Sequence, residues 1–433
     1  MAEKLPRELP ILRGRRPRVA VICFHTSPTA ALGHSANGGL NVYVREVCRQ
    51  FSARGVATDV FTRIASGAGP VVENLAPLSR VIYLPAGPAD LDKYELAGYV
   101  EDFAGAVARF ALDDDLRYDL LYSHYWLSGA VACTLRGRWH LPWAHTAHTL
   151  AVVKNRCLAP GDVPEPALRE QLEGEIARSA DLLVVSTEAE GEELRRAYAV
   201  RRDRIQVAPP GVDLDAFGSV KRFTERTSRP AGDGRTVLFV GRLERLKGAD
   251  VALRAFATAA AGHPDVRFLV LGGDSRTGGE SERQRLAELA RELGIEARVS
   301  FLGSIPQREL PGYYLAADAL LMPSYSESFG LVGLEAQACG CPVIAADVAG
   351  LASVVRDGAT GFLVAGHDPA DYADRLRRLL DDPALARELG RRGRQLAQGF
   401  SWERTGDRLL SAFSPLIESA RPQLTVQAGA RQE

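Results

Sequence analysis

The segment Pro323-Ser324-Tyr325-Ser326-Glu327-Ser328-Phe329-Gly330-Leu331-Val332-Gly333-Leu334-Glu335 sets two glutamates eight residues apart. If helical, that spacing is about two turns, so the pair shares one face. Glu327 would lie in the loop before the helix and Glu335 inside it. A carboxylate accepts paired hydrogen bonds from vicinal hydroxyls, such as those of a ribose or a hexose. A capping glutamate plus a surface one would fit poorly with such apolar, glycine-rich neighbours. Upstream, Val240-Gly241-Arg242-Leu243 and Lys247-Gly248 place two cations after an apolar run, where they could neutralise a diphosphate. A solvated basic turn with snorkelling stems is an equal alternative for that stretch alone.

Near the start of the chain, His34-Ser35-Ala36-Asn37-Gly38-Gly39-Leu40-Asn41 joins an apolar run to a helical pattern. Its glycines let backbone approach a ligand, and a helix N-terminus offers unpaired N–H groups to an anion. It is neither GxGxxG nor a P-loop, and an isolated Gly-Gly is more often only a tight turn. Three further runs end in unusual polar residues: His25, His124-Tyr125-Trp126 and His145-Thr146-Ala147-His148-Thr149. One histidine is more often structural than catalytic, but three strand ends delivering His or Tyr to one rim are hard to explain as packing. Lys93, Lys154 and Arg169 could add phosphate-binding charge. The Asp-Leu-Asp strings at 90–92 and 213–215 read as solvated loops, and no cysteine or histidine spacing suits a metal.

These residues need elements to hold them. The first half carries short apolar runs at Val19–Cys23, Val56–Thr62, Leu120–His124, Trp143–His145, Leu182–Ser186 and Ile205–Pro209. The second half carries Thr236–Val240, Arg267–Leu271, Val299–Leu302, Ala319–Met322, Pro342–Ala346 and Gly361–Val364. Such runs, spaced by amphipathic helices like Gly39–Ala53, predict strands buried on both faces of parallel sheets. Two sets of six predict two doubly wound sheets, which bind ligands at the carboxyl ends of their strands. The expected division is an N-terminal domain over 1–210 and a C-terminal domain over 211–400. Over 401–433, a helix returns toward the N-terminal domain and a frayed tail follows it. The polar stretch 219–235 reads as a linker.

The 433 residues include 53 Lys+Arg and 54 Asp+Glu, a formal net charge of −1, which excludes bulk binding of nucleic acid or anionic lipid. That balance leaves room for local pockets for small phosphates. The six cysteines, at 23, 48, 133, 157, 339 and 341, suit a reducing compartment better than a disulfide scaffold. No run approaches a membrane span and no signal segment opens the chain, so a cytoplasmic protein is expected.

The paired glutamates with SxSFG, the VGR…KG turn and the Gly-Gly loop resemble retaining glycosyltransferases of the GT-B fold, family four. The resemblance runs from about Val19 to Ser419 and includes HTSP (25–28), GGLNVYV (38–44), SHYWLSG (123–129), HTAHTLAVVKN (145–155) and GDVPEP (161–166). It implies an α/β GT-B fold, with two Rossmann-like domains facing a central cleft, and a retaining hexosyltransferase. These blocks are similar to the branch that moves N-acetylglucosamine from its UDP form to inositol phosphate, for mycothiol biosynthesis. The resemblance places Gly39, Arg242, Lys247, Glu327, Ser328, Phe329, Gly330, Leu331 and Glu335 on the donor. It places His25, Asn41, Lys93, Tyr125, Thr149 and Arg169 around a phosphorylated acceptor. His148, Glu327, Arg242 and Lys247 would act in the reaction. No metal is required, since Arg and Lys take its part; Mg2+ is compatible but not implied, and so is a homodimer. The chain departs from the family's loop at Ala31, Leu32, Ala36 and Asn37, where an acidic acceptor contact is missing. Alternative acceptors are a sugar phosphate, as in sucrose-phosphate synthase-like enzymes, or a natural-product aminocyclitol. Outside transfer, a nucleotide-sugar-binding protein or an epimerase remains to be separated by test.

Overall fold

The computed structural model describes residues 16–30, 38–65, 71–218, 234–277 and 280–419, with the backbone alone at 276, 277 and 280. The departures at Ala31, Leu32, Ala36 and Asn37, the residues His34 and Ser35, most of the expected linker and the tail lie outside the described residues. So does the N-terminal segment.

Apolar runs become strands because a strand covered on both faces buries nearly all of its side chains away from water. In the first half these are β1 (Arg18–Ile22), β2 (Ala57–Ile64), β3 (Val71–Ala76), β4 (Ser79–Pro85), β5 (Leu120–His124), β6 (Trp143–Thr146), β7 (Leu182–Val185) and β8 (Ile205–Val207). They form one sheet in the order β3-β4-β2-β1-β5-β6-β7-β8. The expectation of six strands here is corrected to eight. Val71–Ala76 is largely exposed and lacks apolar alternation, so it carries no buried-strand signal; it pairs antiparallel with β4 as an edge hairpin. All other pairings in this sheet are parallel.

The second half forms β9 (Thr236–Val240), β10 (Arg267–Leu271), the short antiparallel pair β11 (Arg276–Thr277) and β12 (Glu280–Ser281), then β13 (Val299–Gly303), β14 (Ala319–Met322), β15 (Val343–Ala346) and β16 (Gly361–Val364). Its parallel sheet runs β13-β10-β9-β14-β15-β16, so chain order reverses between β9 and β14. In the first sheet the reversal falls between β1 and β5. Ligands of doubly wound sheets bind at such reversals. His25 follows β1 and Tyr125 follows β5; the Arg242 turn follows β9 and the Glu327 segment follows β14.

The C-terminal helix Trp402–Ser419 lies on the first sheet's side of the molecule, with Trp402 edge-on to Tyr43 and Phe413 edge-on to Phe51 and Tyr122. Arg54 Nε donates to Asp407 at 2.6 Å across that contact. Among the described residues no helix is long and apolar enough to cross a membrane.

Candidate active site

Arg242 and Lys247 sit on the turn leaving β9, and each meets a carboxylate: Arg242 Nη1 pairs with Glu244 Oε1 at 2.6 Å and Lys247 Nζ with Glu327 Oε2 at 2.6 Å. Two contacts hold this turn against the Glu327 segment. Tyr325 N donates to Leu246 O at 2.9 Å, and Gly248, at φ +69°, lies so close that a Cβ there would come within 2.2 Å of Pro323 O. A side chain is excluded at Gly248 by both conformation and space. Lys247 and Glu327, 80 residues apart in the chain, thereby share one rim.

The helix Leu331–Ala338 begins at Gly330 and carries Glu335, which is 6 % exposed. Its Oε1 accepts from Gln307 Nε2 at 2.8 Å and its Oε2 from Tyr314 hydroxyl at 3.3 Å. Burial pushes the Glu335 carboxyl up to about 7, with Gln307, Tyr314 and Arg45 opposing. Phe329 is buried and packs near Phe400, a structural place. Gln307 and Tyr314 carried no motif in the sequence, since their role depends only on the fold bringing them to Glu335.

The two domains meet across the cleft. The Ser328 hydroxyl donates to the His148 carbonyl, Arg45 Nη2 donates to Gln307 Oε1 at 2.6 Å, and Arg245 Nη1 donates to Pro160 O at 3.2 Å. Gly39 faces Leu331, whose Cδ1 would lie 3.3 Å from a Cβ at that position. Expected donor residues from both domains are therefore neighbours.

His148 has φ +60° and Tyr125 φ +76° with ψ 157°, conformations L-residues seldom adopt. Strain of this kind costs on the order of 1–3 kcal/mol per residue and persists where surrounding structure enforces it. Tyr125 is held by its N–H donating to Thr146 O at 2.9 Å. His148 Nε2 lies 3.0 Å from His124 Nδ1, and Tyr43 stands edge-on to both rings. Burial lowers His148 to about 3, so its imidazole is neutral at pH 7 and offers a hydrogen bond rather than a charge. His145, by contrast, is spent on Ser123 Oγ at 2.8 Å.

On the opposite wall, Glu165 is the residue that sequence reasoning missed. Its carboxylate, in a side chain only 4 % exposed, meets Arg169 Nη1 at 2.8 Å, Lys93 Nζ at 3.4 Å and Lys154 Nζ, and accepts from Tyr94 hydroxyl at 2.7 Å. Burial alone would raise its carboxyl, but Arg169, Lys93 and Lys154 outweigh that and hold it well below the usual carboxylate range. Arg169, with 1 % of its side chain exposed, also binds Glu173 Oε1 at 2.7 Å and Thr149 Oγ1 at 2.8 Å, and lies 4.8 Å from the Tyr125 ring centroid. His25 packs against Tyr125 with ring centroids 4.6 Å apart and planes tilted by 38°, and burial lowers it to about 3.

The structure thus brings His25, Lys93, Tyr125, Thr149 and Arg169 together. Asn41 is fully buried, and its amide is engaged inside the protein. Its Oδ1 accepts from Gly38 N at 2.8 Å, and its Nδ2 donates to Thr26 Oγ1 at 2.6 Å and Ser27 O at 2.5 Å. It fixes the strand–helix turn next to Gly39. The Asp-Leu-Asp strings also have internal work: Asp92 Oδ1 accepts from Tyr94 N and Glu95 N, and Asp213 Oδ1 from Asp215 N and Ala216 N. Among the described residues no group of three or more His, Cys, Asp or Glu is placed to hold a metal.

Residues 38–211 match the glycosyl transferase 4-like domain family and residues 220–396 the glycosyl transferases group 1 family. The D-inositol 3-phosphate glycosyltransferase of Corynebacterium jeikeium is 46% identical over 407 residues, covering 92% of this chain and 97% of that protein. That of Mycolicibacterium paratuberculosis is 46% identical over 404 residues, covering 92% and 90%. Among solved structures, sucrose-phosphate synthase from Thermosynechococcus elongatus superposes with a TM-score of 0.85 at 34% identity, covering 93% of this chain and all of that one. Anabaena HepE in complex with UDP and glucose shares the fold, with a TM-score of 0.74 at 19% identity and 92% of this chain covered. Two parallel-sheet domains with a shared cleft, and identity of this extent, place the chain in the D-inositol 3-phosphate glycosyltransferase family of GT-B glycosyltransferases.

Proposed function

We propose that the protein transfers N-acetylglucosamine, with retention, from UDP-N-acetylglucosamine to 1D-myo-inositol 3-phosphate in the cytoplasm. The observation that carries this reading is the pairing of two charged walls across one cleft. Arg242, Lys247, Glu327 and Glu335 form one, and Lys93, Lys154, Thr149 and Arg169 the other. One wall suits a nucleotide diphosphate sugar and the other a phosphate ester. Glu335 takes the ribose hydroxyls, Arg242 and Lys247 the diphosphate, and Glu327 with neutral His148 the hexose. Gly39, Ser328 and Leu331 close the cleft around the reacting groups and exclude water. As the anomeric carbon loses its bond to the leaving phosphate oxygen, it gains one to the acceptor oxygen on the same face. The acceptor's hydroxyl proton passes to that leaving phosphate, so no protein base is needed at this step.

A donor-by-acceptor matrix read by mass spectrometry tests this. We expect UDP-N-acetylglucosamine with inositol 3-phosphate to give an N-acetylglucosaminyl-inositol phosphate, and dephosphorylated inositol to give no transfer product. A better yield with fructose 6-phosphate would favour the sucrose-phosphate synthase likeness instead. Epimerisation of the donor alone would overturn transfer altogether.

Glu335 adds a pH dependence. Its carboxyl is pushed up to about 7, and only the ionised form accepts from both ribose hydroxyls. Donor KM is therefore expected to be highest below pH 7, to fall as pH rises through 7 and to level off above it. In Glu335→Gln the same plot is flat and high. A wild-type KM independent of pH between about 5.5 and 8.5 would show that the carboxylate stays ionised there, and a Glu335→Gln donor KM equal to wild type at pH 8.5 would remove Glu335 from the donor site.

A further inference from the structure

Glu165 presents a puzzle for a wall built to take a phosphate. A buried carboxylate beside a candidate anion site repels the ligand, yet this one stands at the centre of the cations. The count of charges resolves it. Lys93, Lys154 and Arg169 bring three positive charges together, while Glu165 and Glu173 supply two negative ones. Without Glu165, three cations would face one another across a few ångströms with one carboxylate behind them, and a lysine escapes such crowding by losing its proton.

Lys93 is the member closest to doing so. Burial lowers its ammonium below the usual lysine range, Arg169 lowers it further, and Glu165 with Glu244 from the other domain oppose them. Tyr94 lies beneath it, its ring centroid 4.7 Å from Nζ, and neutral His25 lies nearby. The exposures of the side chains order the wall: Lys93 at 35 % and Lys154 at 22 % face the cleft, with Glu165 at 4 % and Arg169 at 1 % behind them.

We propose that Glu165 is a positioning residue for the acceptor phosphate: it gathers Lys93 and Lys154 at the cleft face, anchors Arg169 behind them, and keeps Lys93 charged. The proposal rests on reading the acceptor as a phosphate ester. It also explains why the GDVPEP loop carries a buried glutamate: Asn155 Oδ1 accepts from Glu165 N at 2.7 Å and its Nδ2 donates to Glu165 O at 3.2 Å, clamping the residue in place.

The test is the pH profile of acceptor use, measured with the full-length enzyme. In the wild type, kcat/KM for inositol 3-phosphate falls on the alkaline side as Lys93 deprotonates. In Glu165→Gln, that alkaline limb is expected to move down by about one to three pH units, with donor KM unchanged. Glu165→Asp keeps the charge but withdraws it by one methylene, so its limb should move less. It also serves if the Gln variant does not fold. Inorganic phosphate, titrated calorimetrically from about pH 7.5 to 10.5, should show the same displacement without any acceptor. A drop in kcat/KM equal at every pH, with no movement of the limb in either variant, would overturn the proposal and leave Glu165 a purely structural residue. If the wild type makes no product with inositol 3-phosphate yet the phosphate titration shifts as expected, the acceptor reading fails and the role of Glu165 stands.

Discussion

Lys247→Ala is expected to lower kcat by about 10²-fold, about 2.7 kcal/mol of transition-state stabilisation, with a smaller effect on donor KM. Charge develops on the leaving diphosphate as the anomeric bond breaks, so a fixed cation there contributes more to the transition state than to the bound donor. Lys247 is fixed twice, by the Gly248 turn seated on Pro323 and by its 2.6 Å pair with Glu327. Arg242→Ala should behave likewise, its guanidinium being held at 2.6 Å by Glu244. The pairing with Glu327 raises a competing explanation, that Lys247 acts only by holding that carboxylate. A double-mutant cycle separates the two. If Lys247 touches the diphosphate, Lys247→Ala/Glu327→Gln loses clearly more than Glu327→Gln alone; equal losses would make Lys247 a support for Glu327. Unchanged turnover in both Lys247→Ala and Arg242→Ala would sink the diphosphate assignment.

What the chain reveals before folding divides along physical lines. Local features were legible. Strands buried on both faces announce themselves as apolar runs, and Glu327 with Glu335 stand out because polar residues in a glycine-rich apolar setting need a reason. The ends of β1, β5 and β9 placed their residues at the reversals of chain order, where a doubly wound fold binds ligands. Features made by distant residues were silent. Glu165 is one glutamate in a loop, and its three cations come from positions 72, 11 and 4 residues away. Gln307 and Arg45 mean nothing until the cleft brings Gln307 onto Glu335 and Arg45 onto Gln307. The strained backbone at Tyr125 and His148 has no sequence signal, since neither residue type prefers it. Of the two strands missing from the expectation, β4 is largely buried and does carry an apolar pattern, so only β3 was silent for a physical reason. An exposed edge strand is selected for solubility rather than burial, and so lacks the apolar pattern. The engagement of the Asn41 amide with Gly38, Thr26 and Ser27 was likewise silent, since those partners meet it only in the folded turn.

Arg169→Met is expected to cost about 3–5 kcal/mol of stability as well as acceptor affinity. The guanidinium is 1 % exposed and lies between Glu165 at 2.8 Å and Glu173 at 2.7 Å. Removing it affects the two carboxylates unequally. Glu165 keeps Lys93 and Lys154, whereas Glu173 keeps the Ala151 N–H at 2.8 Å and the Tyr198 hydroxyl at 3.2 Å but loses its cation. Burial already raises the Glu173 carboxyl, and without Arg169 only the hydrogen bonds from Ala151 and Tyr198 oppose that rise. Thermal unfolding should show the loss as a Tm lower by about 6–20 °C. The remedy follows from the same geometry. Glu173→Gln added to Arg169→Met removes the uncompensated charge while keeping the shape, and should recover most of the Tm. It should not recover the acceptor. Thr149 Oγ1 and the Tyr125 ring both lean on the guanidinium, at 2.8 Å and 4.8 Å, so the double variant keeps an acceptor KM raised at least about tenfold over wild type. Recovery of both Tm and KM in the double variant would make Arg169 only a counter-ion. An unchanged Tm in Arg169→Met would show instead that the buried pair contributes little to folding, and that Glu173 takes up a proton at little cost.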